Sequence, residues 1–180
     1  KKIYRTALGF ISKDINFYKD FVEKFDSREV DLILKQIERK INTPYVSSMG
    51  RFFDAAASLL GVRDQVLFEG QGAMELESLI VENDDFYDFE VYRDREYIIN
   101  PEVILHQLYE DYKKGINRKI IATKFHNSIV EFTHYLALEL RKEFGINKVV
   151  LSGGSFQNRY LLKKLLAKLT ASGFEAFSNS

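Results

Sequence analysis

The chain has 180 residues, 46% of them hydrophobic and 29% charged, a composition typical of one globular domain with a substantial core. Its 26 Lys and Arg residues balance 26 Asp and Glu residues, and the zero net charge argues against nucleic acid as a partner. The absence of Cys excludes disulfides and thiol catalysis within these residues. Since no apolar run is long enough to span a bilayer, we expect a cytoplasmic location and no membrane partner.

The first half of the chain is predicted to be mainly helical. Apolar residues at helical spacing predict a helix over 28–41, which Pro44 ends by forcing Thr43 out of the helical region. Ser47 or Ser48 is expected to cap the next helix, whose apolar side chains are Phe52, Phe53, Ala56, Leu59 and Leu60. Another helix is expected over 69–80.

The second half is predicted to mix strands and helices. Two short strands are expected around the polar turn RDRE, followed by a helix from Pro101 to Gly115. A long helix over about 117–144 should turn its apolar residues inward, Leu140 included. The chain is expected to end with a strand, a glycine turn, a helix to about Ala171 and a last strand in GFEAFSNS. This order predicts a parallel pair, so the expected fold class is α/β, helix-rich with a small mixed sheet.

The glycine turn lies in VVLSGGSFQN, where an apolar strand stops at Gly153 and Gly154 and a helix is expected to open. The first N–H groups of a helix lack partners, and residues without Cβ let a ligand lie on the backbone. A phosphate is the natural occupant. Asn158, expected one turn into the helix, offers an amide to a ribose or phosphate oxygen. The alternative is a tight turn without a ligand and a surface Asn158, since neither a Walker loop nor a dinucleotide fingerprint is present.

Three further polar residues, Asp54, Gln71 and Glu75, form a candidate group that we call the acceptor set. Gln71 and Glu75 are four residues apart and share one face of a helix. Together with Asp54 they could converge on one polar ligand, because carboxylates accept hydrogen bonds from sugar hydroxyls. The alternative is that Asp54 and Glu75 are solvated charges on helix faces.

The three histidines give weaker signals. His126 and His134 are eight residues apart on the long helix and lack the four-residue spacing of a helical zinc pair. We expect both at the edge of the core or on the surface, and we identify no partner for His106. No catalytic residue is identified from the sequence.

Four stretches carry a resemblance to a known family: PYVSSMGRFFDAAASLLGV, VLFEGQGAMELESLI, FHNSIVEF and VVLSGGSFQNRYLL. In this order they resemble the carboxy-terminal part of HypF, the carbamoyltransferases of nickel–iron hydrogenase maturation. That part is similar to the TsaD family, which makes threonylcarbamoyl-adenosine in tRNA, and both are actin-like, sugar-kinase-like ATPases. The resemblance implies that residues 1–180 are a single partial domain, the second lobe of such a fold and a piece of a longer chain.

The resemblance also implies a reaction. HypF uses carbamoyl phosphate and ATP to form carbamoyl-adenylate and passes the carbamoyl group to the carboxy-terminal cysteine of a HypE-like partner. Carried over to this sequence, Gly153, Gly154 and Asn158 would hold the nucleotide phosphates and the nearby sugar. The acceptor set would bind the ribose or adenosine side.

The metal of the family is expected outside this chain. The resemblance places its ligands on a histidine pair upstream and on an Asp in a downstream Asp-Gly-Gly turn, neither of which occurs here. We therefore expect the chain alone to bind nucleotide weakly and to be inactive. Two alternatives remain: a TsaD-like tRNA threonylcarbamoyltransferase, against which the EGQ segment and the neutral charge argue, and a non-catalytic protein-interaction module.

Overall fold

A computed structural model describes residues 1–178, in which helices predominate and four short strands form two small sheets. The expected α/β class is confirmed. The helices are α1 (Tyr4–Ile11), α2 (Lys19–Val22), α3 (Ser27–Glu38), α4 (Met49–Leu59), α5 (Gln71–Ser78), α6 (Pro101–Lys113), α7 (Arg118–Phe144) and α8 (Arg159–Ala171). The strands are β1 (Glu90–Arg93), β2 (Tyr97–Asn100), β3 (Lys148–Leu151) and β4 (Glu175–Ser178). No helix within residues 1–178 combines the length and apolarity needed to cross a bilayer.

Polar side chains cap several helices at the positions where the sequence predicts their starts. Ser48, and not Ser47, caps α4 by accepting from the backbone N–H of Arg51 at 3.4 Å. Asn100 caps α6, which has Pro at its first position, and Asn117 caps α7. Each cap supplies an acceptor for an N–H group that the helix itself leaves unpaired.

Helix α3 ends at Glu38, three residues before the predicted end at Ile41. Lys40 and Asn42 have left-handed backbone, with φ of 55° and 53°, so the chain leaves the helix before Pro44. Ile41 is 50% exposed and gains little from extending the apolar face. The predicted end at Ile41 was wrong because the backbone leaves the helical conformation by Lys40.

Helix α7 lies at the centre of the core. The Phe125 ring on this helix packs against Phe52 and Phe53 of α4, with ring centroids 4.9 and 5.3 Å apart. The buried part of α7 ends at Phe132. Leu140, predicted to face inward, is 39% exposed because the last turns of α7 extend beyond the buried part of the helix.

The strands form two separate pairs and not one mixed sheet. Strands β1 and β2 pair antiparallel around the RDRE turn, and β3 and β4 pair parallel with α8 between them, as the element order predicts. Leu151 of β3 is buried, whereas the paired residues Val150 and Phe177 are exposed on the other face. The final two residues of the predicted last strand, 179–180, lie outside the described residues.

Both ends of α8 are held against α7. At the carboxyl end, His134 Nε2 lies 2.7 Å from Ser172 Oγ, and Arg141 donates to the Ser172 carbonyl at 2.8 Å. At the amino end, side chains of the two helices meet beside the glycine turn. The position of that turn is therefore set by the packing of α8 on α7.

Candidate functional site

The glycine turn lies between β3 and α8. Gly153 has φ 95° and ψ 174°, a conformation that side-chain-bearing residues rarely adopt, and a 3₁₀ turn over Gly154–Gln157 follows. Helix α8 begins only at Arg159, so the expectation that a helix opens directly after the glycines is corrected. Asn158 is the N-cap of α8 and is not one turn inside it, because its extended backbone and amide side chain suit a cap.

The backbone of the turn is open. No protein atom lies within 4 Å of the position that a Cβ would take on Gly153 or on Gly154. Among residues 1–178, neither backbone N–H of these two glycines has a hydrogen-bond partner. The turn lines a cavity of about 220 Å³ together with apolar side chains that include Met49 and Leu165. Unpaired donors beside open space are suited to an anionic group.

The two glycines differ in how they should tolerate a side chain. Gly153→Ala is expected to lower the free energy of unfolding by about 1–3 kcal/mol, because its backbone conformation is strained for L-residues. Gly154→Ala is expected to change it by less than about 0.5 kcal/mol, because its φ is not positive and its Cβ would meet no protein atom. Urea unfolding of both variants checks this, and equal losses would contradict the assigned turn geometry.

Asn158 is buried, and its side-chain oxygen and side-chain nitrogen each make one hydrogen bond to the protein. Its Oδ1 accepts from the backbone N–H of Leu161 at 2.9 Å, and its Nδ2 lies 3.1 Å from His126 Nε2. The alternative of a surface Asn158 is therefore wrong. One amide hydrogen and one lone pair of the side chain have no hydrogen-bond partner among residues 1–178.

His126 is completely buried, so the expectation of a core-edge or surface position is wrong for this residue. Its Nδ1 lies 2.7 Å from the carbonyl oxygen of Ala122. Burial lowers the pKa of His126 to about 4, although the hydrogen bond to Ala122 opposes the shift. The signal in the sequence is its place in an inward-facing run, directly after Phe125.

The other two histidines lie nearer the surface. His134 is partly buried beside Ser172, in agreement with the expected edge of the core. His106 stacks on the ring of Phe17, with centroids 3.9 Å apart, a partner that the sequence pattern did not indicate.

Two members of the acceptor set are brought together, as their spacing predicts. Gln71 Nε2 donates to Glu75 Oε1 at 2.9 Å, and Gln71 Oε1 accepts from the backbone N–H of Leu67 at 2.8 Å. Arg63 donates to Glu75 Oε2 at 2.7 Å, and this contact is the main reason why the pKa of Glu75 is lowered. The second cause that lowers it is the bond from Gln71.

Asp54 is buried, so the alternative of a solvated surface charge does not hold for it. Its carboxylate pairs with Lys1 Nζ at 3.2 Å and lies 3.8 Å from an Arg51 nitrogen. Its Oδ1 also lies 3.6 Å from the position of a Cβ on Gly72, the residue after Gln71. The third member of the acceptor set thus lies beside the first turn of α5.

The cavity at the glycine turn does not include the acceptor set. The residues that line the cavity at the turn include Met49 of α4 but none of the three acceptor residues. The two regions are linked through Glu77 of α5, which accepts from the backbone N–H of Tyr160 at 3.2 Å. Their convergence on one ligand remains a prediction. Within residues 1–178, no group of three or more His, Asp and Glu side chains is placed to hold a metal ion.

Comparison with known proteins identifies the class to which this fold and turn belong. A family model described as "Carbamoyltransferase, Kae1-like Domain, second subdomain" matches residues 1–180. The carbamoyltransferase HypF of Synechocystis is 35% identical over 167 residues, which cover 89% of this chain and 21% of that protein. A tRNA N6-adenosine threonylcarbamoyltransferase of Staphylococcus aureus is 26% identical over 127 residues, 66% of this chain and 35% of that protein.

Two solved HypF structures have the same fold as this chain. A crystal structure of full-length HypF in the phosphate- and nucleotide-bound form matches all of this chain and 24% of its own, with a TM-score of 0.98 and 66% identity. The structure of T. kodakarensis HypF matches 98% of this chain and 24% of its own, with a TM-score of 0.83 and 28% identity. The fold is therefore that of a lobe of a Kae1-like domain.

The chain belongs to the family of carbamoyltransferase Kae1-like domains, second subdomain, and the expected resemblance to HypF is confirmed. It spans about a fifth of the length of the Synechocystis relative and about a quarter of the solved HypF chains.

Proposed function

We propose that this chain is part of an ATP-dependent carbamoyltransferase acting in hydrogenase maturation in the cytoplasm. Carbamoyl phosphate and ATP are its substrates, carbamoyl-adenylate is the intermediate, and pyrophosphate is released. The acceptor is the carboxy-terminal cysteine of a HypE-like protein. The names of the HypF relatives support the transferase class, and the nucleotide-bound form of one of them supports a nucleotide substrate.

The observation that carries this proposal is the open backbone of the glycine turn. The N–H groups of Gly153 and Gly154 are unpaired within residues 1–178 and border a cavity, so a phosphate can approach them directly. Asn158 lies at the end of the same turn and keeps one amide hydrogen for a phosphate or sugar oxygen. In this proposal these three residues hold the nucleotide phosphates and the nearby sugar.

The acceptor set is assigned to the ribose or adenosine side. Asp54 and Glu75 already accept from Lys1 and Arg63, but a carboxylate has about four acceptor positions and can serve a ligand as well. Gln71, which bonds Glu75, would stabilise the orientation of that carboxylate.

The residues described here do not fit a metal ion, since no group of three ligating side chains occurs among residues 1–178. We assign the divalent metal of the family to other parts of the complete enzyme and derive no step through it. A transferring group needs preorganised donors around its developing charge, and the chain alone supplies only one side of such a site.

Nucleotide binding at the turn can be tested directly. In a titration of the chain with ADP followed by the amide signals of Gly153 and Gly154, Gly154→Ala is expected to weaken binding by about tenfold or more. The added Cβ would occupy the space beside the backbone, and a tenfold loss corresponds to about 1.4 kcal/mol.

Gly9→Ala is the matched control, because its Cβ also meets no protein atom and it lies on α1. Its affinity should equal that of the wild type. Equal binding by the wild-type and Gly154→Ala chains would remove the basis of the proposal, and a wild-type chain that does not bind would favour the protein-interaction module.

Turnover by the chain alone is expected to be undetectable. The measurement is ATP–pyrophosphate exchange in the presence of carbamoyl phosphate. Clear exchange by the 180 residues would show that the chain contains a complete active site, contrary to this proposal.

A tRNA threonylcarbamoyltransferase is the second candidate, favoured by the similarity to the Staphylococcus aureus enzyme. It is less well supported, because that similarity covers less of the chain and the net charge is zero. Binding of tRNA to the chain at physiological salt would support it.

A further inference from the structure

A polarised chain of hydrogen bonds joins α7 to the start of α8. It runs from the backbone N–H of Leu161 to Asn158 Oδ1, from Asn158 Nδ2 to His126 Nε2, and from His126 Nδ1 to the carbonyl of Ala122. The distances between the bonded heavy atoms are 2.9, 3.1 and 2.7 Å.

The groups at the two ends of this series of hydrogen bonds determine which atom donates and which accepts in each bond. The Leu161 N–H can only donate, so the oxygen of Asn158 faces it and the amide nitrogen faces His126. The Ala122 carbonyl can only accept, so His126 carries its proton on Nδ1. The neutral imidazole then presents an unprotonated Nε2, which is the acceptor that the Asn158 amide requires.

Within residues 1–178, the ring nitrogens of His126 have no hydrogen-bond partners other than Ala122 and Asn158. The imidazole makes T-shaped contacts with three aromatic rings, those of Phe53 of α4, the adjacent Phe125 and Tyr160 of α8. The ring is fully buried, so water does not replace a lost bond without a rearrangement of this packing.

We propose that His126, as the tautomer with its proton on Nδ1, is a positioning residue that orients the Asn158 amide and thereby sets the end of the glycine turn. Asn158 follows the 3₁₀ turn directly and caps α8, so its orientation is shared by both elements. The functional part of this inference rests on the proposed nucleotide site. His126 itself does not line the cavity at the turn.

Two substitutions at position 126 separate the roles of the two ring nitrogens. The amide group of Gln reaches the place of Nε2 and can supply an acceptor there, whereas the shorter Asn reaches only the place of Nδ1. His126→Gln should therefore keep the bond to Asn158, and His126→Asn should lose it. His134→Asn, on the same helix but bonded to Ser172, is the matched control.

The experiment uses nuclear magnetic resonance on the full 180-residue chain. Long-range nitrogen–proton spectra should show His126 protonated on Nδ1 and unprotonated on Nε2. Hydrogen exchange of the Leu161 amide should be about fivefold to tenfold faster in His126→Asn, the effect of a lost cap, and near the wild-type rate in His126→Gln. ADP affinity should fall by a similar factor in His126→Asn alone among the three variants.

Protonation on Nε2, or Leu161 exchange in His126→Asn equal to the wild-type rate, would overturn the proposal. The same holds if His126→Asn and His126→Gln have equal effects, because the two variants then report only altered packing. If His126→Asn does not fold, the tautomer and the His126→Gln results decide. A wild-type chain that shows no ADP-dependent change at Gly153 and Gly154 would refute the proposed nucleotide site, and the orientation of Asn158 would then be judged from Leu161 exchange and the tautomer.

Discussion

Acidification from pH 7 to pH 4 is expected to lower the free energy of unfolding by up to about 3 kcal/mol through His126 alone. The folded state holds the pKa of this residue near 4, against 6.5 for the ordinary side chain. Between these two values the unfolded chain binds the proton and the folded chain does not, so stability falls as the pH falls. Well above pH 6.5 the unfolded chain is also unprotonated at this residue, so the contribution is complete and independent of pH.

Urea unfolding of the wild-type and His126→Gln chains at a series of pH values measures this effect. Gln does not titrate, so the variant should lack that part of the pH dependence, while the carboxylates contribute equally to both chains. The rings packed against His126 among residues 1–178 are those of Phe53, Phe125 and Tyr160. Identical pH profiles for the two chains would show that His126 is not buried in its neutral form.

Phe125→Ala is expected to lower the free energy of unfolding by about 3–5 kcal/mol. The ring is fully buried at the contact of α7 with α4, where it packs against Phe52 and Phe53, and its removal leaves a cavity. Thermal and urea unfolding provide the measurement. If the variant does not fold, Phe125→Leu should give a smaller loss that can still be measured.

Leu140→Ala is the control on the same helix. Its side chain is 39% exposed, so the change in stability should be below about 1 kcal/mol. Comparable losses for the two positions would mean that the last turns of α7 are buried in solution, contrary to the structure described here.

Local chemistry was enough to predict the starts of α4, α6 and α7 and the order of the elements from α3 onward, whereas α1 and α2 were not predicted. Ser48, Asn100 and Asn117 are short polar residues directly before apolar periodic segments, and each accepts from an N–H group of the helix that it precedes. The parallel pairing of β3 and β4 followed from the strand–helix–strand order. These signals act within a few residues of the chain.

The errors arose where distant residues decide the outcome. Leu140 has the helical spacing of a core residue, but whether another element covers that turn of α7 cannot be seen from spacing. The bond between His126 and Asn158 joins residues 32 positions apart, so this contact could not be derived from local sequence signals. The division of the strands into two separate sheets likewise depends on tertiary packing.

The candidate site was predicted in its parts but not in its arrangement. The openness of the glycine turn followed from two residues without Cβ, and the contact of Gln71 with Glu75 followed from their helical spacing. The ion pairs of Asp54 with Lys1 and of Glu75 with Arg63 required the three-dimensional structure.

The attachment of α8 to α7 at both ends has a mechanical consequence. Sliding or rotation of α8 along its neighbour would break the bond of Asn158 to His126 at one end or those of Ser172 to His134 and Arg141 at the other. The 13 residues of α8 therefore act as a rigid spacer of about 20 Å between the loop before it and strand β4 after it. We therefore expect α8 to move as a rigid body, so that a displacement of one terminus displaces the other terminus equally.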